Sequence, residues 1–335
     1  MKPGTQLQTL GPRTMNIVIG SKEWLAARRS TLTATDAAAV LGVSPFRGPF
    51  EVWASKRNEG QPFEETPRMH WGNVLERPIA EEWARERSLT VGHEVRVSQA
   101  EWASRDNWAS ATPDFNVFRL DGGQPVWAGL LEVKNSAAGE KWAPAGAPGT
   151  ADNCPPNYIA QCLWQMYVTG AERCWLTVLL WGYDSRTYQV WRDEDTIAGM
   201  ADYLWQWWRR HVVEGEPPEP DGSDGCAAWL KHQHPHEEAT DERADVSPDD
   251  VEEFLTARAL RAVYDEQAKK AAQRIKMQLG DSTKGRCNGA SVSWGWTKGK
   301  VKLDTKALEA DAPALYQRYA KTGAKYRTLR IKRKK

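Results

Sequence analysis

The sequence predicts a mixed α/β fold in which helices flank one sheet. A short helix over residues 33–42 has both a start and a stop, because Thr33 can cap its first turn and Gly42 suits a left-handed C-terminal position. Two apolar runs flank the turn Asp121-Gly122-Gly123, which predicts a β-hairpin. Helical and strand patterns then alternate in the order α-α-β-β-β-α-β-β-α, which is typical of a mixed sheet covered by helices.

The elements after the first helix follow from apolar periodicity and from Gly and Pro punctuation. Pro78 is expected near the first turn of the second helix, where proline is best tolerated. In chain order the predicted elements are a helix over about 73–88, strands near 92–98, 107–118 and 126–134, a helix over about 157–169, strands over 173–181 and 187–191, and a Trp-rich helix over about 194–213.

Composition is that of a soluble globular protein. The chain has 335 residues, 41% of them apolar and 27% charged, with a formal net charge of +1 and a mean hydropathy of −0.65. No apolar run approaches the ~18–20 residues of a membrane span, and the N-terminus lacks the pattern of a secretory signal. The five cysteines form no C-x-x-C pair, which argues against a zinc ribbon or a disulfide scaffold. We expect a cytoplasmic location, in the host cytoplasm if the chain is phage-encoded, and no membrane partner.

Charge and composition divide the chain into three parts. Residues 1–213 form the predicted α/β domain. Residues 214–248 are predicted to be an acidic linker, and residues 249–335 a small module with a long helix (about 249–279), a hairpin, a helix (about 304–320) and a basic tail.

The predicted hairpin carries a group of chemically active side chains. Pairing about the centre of the turn places Asp114 opposite Leu131, so one β-bulge would bring Asp114 level with Glu132. Side chains of a strand alternate between faces, so Glu132 and Lys134 share one face and Leu131 and Val133 the other. The pattern P-D-x17-E-V-K matches the PD-(D/E)XK nuclease motif. The alternative is a solvated acid and lysine on an ordinary strand.

Several blocks along the chain resemble, in order, the lambda-exonuclease/YqaJ-type viral recombinase family of PD-(D/E)XK nucleases. Each block is short, but together they span roughly residues 22–210. They are Arg28-Arg-Ser-Thr-Leu-Thr-Ala-Thr35-Asp, Leu41-Gly-Val-Ser-Pro-Phe46, Trp71-Gly-Asn-Val-Leu-Glu76, Ala111-Thr-Pro-Asp114, Leu131-Glu-Val-Lys134 and Tyr158-Ile-Ala-Gln161. The resemblance implies a PD-(D/E)XK restriction-endonuclease-like core with a small C-terminal helix and hairpin module.

A metal site follows from these residues. Asp114, Glu132 and the carbonyl of Val133 offer the hard oxygen ligands that Mg²⁺ and Mn²⁺ prefer. Lys134 would orient or deprotonate the attacking water. The resemblance adds Glu76 as an acidic member of the site, and Glu76 shares a helical stripe with Ala80 and Trp83.

The resemblance also assigns three further roles. It places Gln161 near the metal-bound water or the scissile phosphate, although Gln161 can also be read as an ordinary polar residue on a helix. It implies that Arg28 and Thr35, with Thr33, bind the 5′-phosphate of a DNA end. A helix N-terminus and an arginine suit an anion. Simple helix capping beside a surface arginine is the alternative.

The sequence therefore predicts a Mg²⁺- or Mn²⁺-dependent deoxyribonuclease. The resemblance implies a 5′→3′ exonuclease acting on double-stranded DNA ends in phage-type recombination, with a homo-oligomeric ring and a single-strand annealing protein as partners. The alternatives are a structure-specific or restriction-like endonuclease and a DNA-binding recombination scaffold that has lost catalysis.

Overall fold

The computed structural model describes residues 13–15, 17–57, 65–137, 142, 154–234, 243–321, 323 and 328–331. The chain forms two compact units, Met1–Gln233 and His234–Lys335. Among the helices of these described ranges, none has the length and apolar character that a membrane span requires.

The first unit contains the α/β domain. Its strands are β1 (Arg13–Met15), β2 (Val95–Gln99), β3 (Trp102–Arg105), β4 (Ala109–Ala111), β5 (Phe115–Asp121), β6 (Gln124–Ser136), β7 (Arg173–Leu180) and β8 (Asp184–Trp191). Its helices are α1 (Lys22–Arg29), α2 (Ala34–Val40), α3 (Pro49–Lys56), α4 (Pro67–Val91), α5 (Pro156–Thr169), α6 (Glu194–Trp207), which continues into a π-helical turn (Trp208–Val213), and α7 (Asp224–Gln233).

A five-stranded mixed sheet organises the described part of this unit. Its strand order is β2-β5-β6-β7-β8, with β6 and β7 parallel and the other neighbours antiparallel. β1, β3 and β4 form a separate small antiparallel sheet. The predicted mixed sheet flanked by helices is confirmed.

The two faces of the main sheet are buried by different helices, as alternation along β6 requires. Leu131 and Val133 pack with Ala80 and Trp83 of α4. Leu130, on the opposite face, packs in a cluster that includes residues of α5, β7 and α6. Glu132 and Lys134 point to the same face as Leu130, because each lies an even number of residues away.

Two predicted elements differ in the structure. The strand expected over 107–118 is divided, since β4 ends at Ala111 and β5 begins at Phe115. Pro113 lacks an N–H for a ladder hydrogen bond, and Asp114 lies at the break between the two sheets. The helix expected over 73–88 extends over Pro67–Val91, because Thr66 caps it and Pro67 occupies its first turn. Pro78 therefore lies inside α4 and not in its first turn.

The expected linker over 214–248 also needs correction. Residues 224–233 within it form helix α7, in which Cys226 is buried. Trp229 of this helix packs edge-on against Phe50 and Trp53 of α3. Burial of these apolar groups holds α7 on the first unit despite the acidic composition of the segment.

The second unit contains the expected long helix and hairpin, but its last expected helix is divided. It contains the long helix α8 (Pro248–Leu279), the hairpin strands β9 (Lys284–Cys287) and β10 (Ala290–Ser293), and two short helices, α9 (Thr305–Asp311) and α10 (Pro313–Tyr319), where one helix was expected. Much of the basic tail lies outside the described residues.

Candidate active site

The β5–β6 hairpin brings Asp114 level with Glu132. Pairing of the two strands shifts by one residue partway along the hairpin, which leaves Ala128 as an extra residue in β6. Beyond this bulge Phe115 pairs with Leu131. Asp114 precedes Phe115 and therefore lies level with Glu132. The bulge that the sequence analysis required is confirmed.

Glycine at position 129 permits this bulge. Gly129 has a φ of +141°, which L side chains rarely adopt. A Cβ atom at this position would lie 2.6 Å from the carbonyl oxygen of Arg173 on the neighbouring strand β7. Only glycine satisfies both constraints. Glycine at position 129 therefore allows the bulge that sets the register of the hairpin.

Asp114, Glu132 and Lys134 converge as predicted. Asp114 Oδ2 accepts a hydrogen bond of 2.7 Å from the N–H of Val133. Glu132 is 4% exposed, and its Oε1 forms an ion pair with Lys134 Nζ. Its Oε2 accepts a hydrogen bond of 2.7 Å from Gln165 Nε2. The bulged hairpin thus holds two carboxylates and one ammonium in a single cluster.

Electrostatic coupling within this cluster is strong. Burial, and then the negative charge of Glu132, raise the pKa of Asp114 well above its usual range. Burial opposes the charge of Lys134, but the two carboxylates outweigh it and raise the lysine pKa. Lys134 is therefore a cation in this structure, and it donates hydrogen bonds.

Glu76 joins the cluster from helix α4. Burial, and then the charge of Glu132, raise the pKa of Glu76, while Lys134 opposes the shift. The side chain of Gln99 hydrogen-bonds Glu76 and also donates to the carbonyl oxygen of Asp114 at 3.0 Å. Gln99 bridges two predicted site residues, and the sequence analysis did not identify it.

Helix α5 contributes a glutamine, but at a different position from the expected one. Gln165 is 2% exposed and donates to Glu132. Gln161 is also buried, one helical turn earlier on the same face. The structure thus places Gln165 directly on the acidic cluster, while the role of Gln161 remains a prediction. The i,i+4 spacing of the two glutamines was the available signal.

The carboxyl oxygens of Asp114, Glu132 and Glu76 are the kind of ligand that a hard divalent cation prefers. Burial, and then the charge of Glu132, raise the pKa of both Asp114 and Glu76, and a cation beside these groups would offset the repulsion from Glu132. Among the described residues, no group of three or more His, Cys, Asp or Glu side chains is arranged to hold a metal ion. Glu132 Oε1 contacts Lys134 and Oε2 accepts from Gln165, and each carboxylate oxygen has a second lone pair that a metal ion could use.

The three residues predicted to bind a DNA 5′-phosphate lie together. Thr33 caps α2 in a capping box with Asp36. The Oγ1 atoms of Thr33 and Thr35 are 3.2 Å apart, and an Nη2 of Arg28 lies 3.5 Å from Thr35 Oγ1. The capping interpretation is therefore correct for Thr33, whose hydroxyl group donates to Asp36 Oδ2 at 2.6 Å, and the guanidinium of Arg28 lies beside the hydroxyl group of Thr35.

A buried ion cluster supports this group, and sequence reasoning missed it. Asp36 is 2% exposed; its carboxylate lies 2.6 Å from Lys56 Nζ and 2.9 Å from Arg47 Nη1. Lys56 also donates to the carbonyl oxygen of Arg28 at 2.6 Å. Burial opposes the charge of Asp36, but Lys56, Arg47 and Arg28 outweigh it and hold the carboxyl pKa below its usual range. Arg47 Nε is buried without a hydrogen-bond partner, 3.7 Å from Glu51.

Trp24 connects the two groups of residues. The guanidinium of Arg28 lies 4.5 Å from the centre of its ring. The indole N–H of Trp24 donates to Thr112 Oγ1 at 3.2 Å. Thr112 is two residues before Asp114, so the Trp24 side chain joins the group of Arg28, Thr33 and Thr35 to the segment that carries Asp114.

The mixed sheet and the bulged PD…EVK hairpin define a protein of the PD-(D/E)XK-like fold class. Residues 23–172 match the family described as "YqaJ-like viral recombinase domain". The expected family resemblance is confirmed.

Two curated relatives extend the comparison. The uncharacterized protein YqaJ of Bacillus subtilis (strain 168) is 25% identical over 91% of this chain and 92% of its own length. The uncharacterized protein R354 of Acanthamoeba polyphaga mimivirus is 30% identical over 54% of this chain and 33% of its own length.

Solved structures that resemble this chain include two exonucleases. The alkaline exonuclease LHK-Exo of Laribacter hongkongensis is 20% identical, with a TM-score of 0.41, over 64% of this chain and 97% of its own. A phage-related exonuclease of Haemophilus somnus 129PT is 13% identical, with a TM-score of 0.36, over 56% of this chain and 96% of its own.

Proposed function

We propose that this protein is a divalent-metal-dependent deoxyribonuclease that digests double-stranded DNA from its ends. The observation that carries the proposal is the convergence of Asp114, Glu132 and Lys134 on the bulged hairpin. The match of residues 23–172 to a viral recombinase domain family supports a role in DNA processing.

Asp114, Glu132, the Val133 carbonyl and Glu76 would hold Mg²⁺ or Mn²⁺. Such an ion lowers the pKa of a bound water and neutralises charge on the phosphate. Two hydrogen bonds orient the carboxylate ligands that would hold the ion. The Val133 N–H fixes one oxygen of Asp114, and Gln165 fixes one oxygen of Glu132.

Lys134 acts as a hydrogen-bond donor in this proposal. Its raised pKa keeps the ammonium charged beside the carboxylates. A charged lysine orients the attacking water and stabilises negative charge on the phosphate. On substrate binding, Lys134 exchanges its contact with Glu132 for a contact with a phosphate oxygen.

The group around Arg28 would select the end of the substrate. Arg28 and Thr35 would offer a guanidinium and a hydroxyl group to a terminal 5′-phosphate, and Thr33, whose own hydroxyl group donates to Asp36, would hold the start of α2 beside them. Digestion from such an end proceeds 5′→3′ and leaves 3′ single-stranded tails. A homo-oligomeric ring around DNA, a single-strand annealing partner and a location in the host cytoplasm are further parts of the proposal.

Digestion of three matched duplexes tests it: a linear duplex with 5′-phosphates, the same duplex with 5′-hydroxyls, and a covalently closed circle. In Mg²⁺ we expect the phosphorylated linear duplex to disappear fastest and the circle to persist, and EDTA to stop the reaction. Asp114→Asn and Lys134→Ala should each lower the rate by about 100-fold or more. Asp121→Asn, at the exposed turn of the same hairpin, is the matched control and should retain the wild-type rate.

The other outcomes separate the alternatives. Cleavage of the closed circle would identify an endonuclease. Binding of duplex without hydrolysis in either metal would identify a recombination scaffold. Wild-type rates in Asp114→Asn would remove the catalytic assignment.

A further inference from the structure

Two aromatic side chains stack on each other in solvent at the turn between β7 and β8. Trp181 is 47% exposed and Tyr183 is 79% exposed. Their ring centroids lie 6.0 Å apart with the planes inclined by 26°. Single exposed aromatic residues are common on protein surfaces, but a stacked pair forms a flat apolar surface that a planar ligand can cover.

The backbone of this turn is strained at the tryptophan. Trp181 has a φ of +53°, a region that bulky residues rarely adopt, and Gly182 follows at +81°. Turns of this kind favour Asn or Gly at the first of these positions. Strain of this kind persists where surrounding structure enforces it and clusters at functional sites. Here Trp181 N–H donates to the carbonyl oxygen of Ser136 at 3.0 Å, and this hydrogen bond holds the backbone of Trp181 in the strained conformation.

That hydrogen bond ties the turn to the catalytic strand. Ser136 is the last residue of β6 and lies two residues beyond Lys134. Because β6 and β7 are parallel, their carboxyl ends lie at the same edge of the sheet. The aromatic pair therefore stands at the edge towards which the catalytic strand runs.

Side-chain contacts also connect the pair to the active centre. Lys134 Nζ lies 5.3 Å from the ring centre of Tyr158, and this ring stacks on Trp142 at 5.3 Å and 18°. The carbonyl oxygen of Trp142 accepts a hydrogen bond of 3.1 Å from Arg186. The guanidinium of Arg186 lies 5.9 Å from the ring centre of Trp181.

We propose that Trp181 and Tyr183 form a base-stacking platform for single-stranded DNA beside the active centre. This inference rests on the proposed nuclease function and names how the enzyme holds one strand. Aromatic rings stack with any base, which suits an enzyme that must process every sequence. Arg186 is already paired with Asp184 at 2.7 Å and therefore stabilises the turn. The platform itself consists of aromatic rings, so its ligand is a base and not a phosphate.

The platform is tested by measuring the binding of a 3′-labelled oligothymidine with a 5′-hydroxyl by fluorescence anisotropy. EDTA in the buffer prevents cleavage, and the 5′-hydroxyl leaves out any contribution from a 5′-phosphate. Trp181→Gly removes the ring and suits the positive φ, so this variant should fold at least as well as wild type. We expect Trp181→Gly and Tyr183→Ala each to weaken binding about 5- to 100-fold. Trp181→Phe should retain most of the affinity.

Trp191→Ala is the matched control. Trp191 is 59% exposed and has an arginine, Arg173, at 5.2 Å from its ring centre, but it lies at the opposite end of β8. Its loss should leave oligonucleotide affinity unchanged. Wild-type affinity in both Trp181→Gly and Tyr183→Ala, equal losses in the Trp191→Ala control, or no binding by the wild type would each overturn the platform.

The platform and the nuclease function can fail separately. If duplex digestion is normal but Trp181→Gly binds the oligonucleotide like wild type, the platform alone is wrong. If the wild type hydrolyses no DNA in Mg²⁺ but Trp181→Gly still loses affinity, the platform stands and the proposed function is wrong.

Discussion

Replacement of Gly129 by alanine tests the structural basis of the site. The new Cβ would lie 2.6 Å from the carbonyl oxygen of Arg173 and 3.3 Å from Trp175 Cζ3, at a φ of +141°. Backbone strain of this kind costs ~1–3 kcal/mol, and overpacking against a neighbouring strand costs a similar amount. We therefore expect Gly129→Ala to lower the free energy of unfolding by about 2–5 kcal/mol.

The same substitution should impair catalysis in molecules that remain folded. If the bulge closes to relieve the clash, the pairing shifts by one residue. Asp114 then lies opposite Leu131 and no longer opposite Glu132. A displacement of this size costs about 100-fold in rate. Urea unfolding followed by circular dichroism measures the stability, and duplex digestion at a temperature where both proteins are folded measures the activity.

Two other glycines provide controls for this experiment. Gly122, at the turn of the same hairpin, has a φ of +55° but open space around it, so alanine there should cost only about 1 kcal/mol. Gly199, inside α6, has neither constraint, and alanine there should stabilise by about 0.5–1 kcal/mol. Wild-type stability and activity in Gly129→Ala would refute the reasoning about the bulge.

The remaining predictions concern the groups around the hairpin. Asp36→Asn should destabilise the fold by about 3–5 kcal/mol, because it leaves buried cations without their carboxylate; urea unfolding measures this. Gln165→Ala should lower the nuclease rate about 10- to 100-fold, and more than Gln161→Ala does, because only Gln165 contacts the buried glutamate. Trp24→Leu should reduce the preference for 5′-phosphorylated over 5′-hydroxyl ends about 3- to 10-fold, because the guanidinium of Arg28 loses its aromatic support.

Acid unfolding gives a further check on Asp36. The folded pKa of this carboxyl lies below its usual range, so its stabilising effect is complete above about pH 4, the unfolded value, and is lost as the pH falls towards the folded value. Between about pH 4 and 2 the wild type should lose more stability than Asp36→Asn. Asp202→Asn, on an exposed face of α6, is the control and should follow the wild-type curve. Parallel curves for wild type and Asp36→Asn would contradict the ion cluster.

Contradictory outcomes for the other two predictions are equally definite. A larger loss in Gln161→Ala than in Gln165→Ala would favour the role that the family resemblance implies for Gln161. An unchanged end preference in Trp24→Leu would separate Arg28 from the tryptophan ring.

Local patterns were sufficient to predict the hairpin and the convergence of its charged side chains. The Gly-Gly turn, the alternation of β6 and the spacing of Asp114 and Glu132 all act within about twenty residues of the chain. The capping box of α2 is local in the same sense, since Thr33 and Asp36 are three residues apart.

Contacts between distant residues could not be read from such patterns. Glu132 and Gln165 are 33 positions apart, and Trp24 and Thr112 are 88 apart. The ion-pair partners of Asp36 likewise depend on how separate elements pack. The same holds for helix α7, which forms within an acidic segment. Local composition favoured a linker there, and burial of Trp229 against α3 overrode it.

The proposed function requires Asp114 and Glu132 to bind a divalent ion beside Lys134. Crystals of the full chain grown with Mn²⁺ and a DNA product, measured for anomalous scattering at the manganese edge, test it most directly. We predict an anomalous peak coordinated by both carboxylates and the Val133 carbonyl, with Lys134 turned from Glu132 towards a phosphate. A well-ordered site with no peak between the two carboxylates would contradict the account.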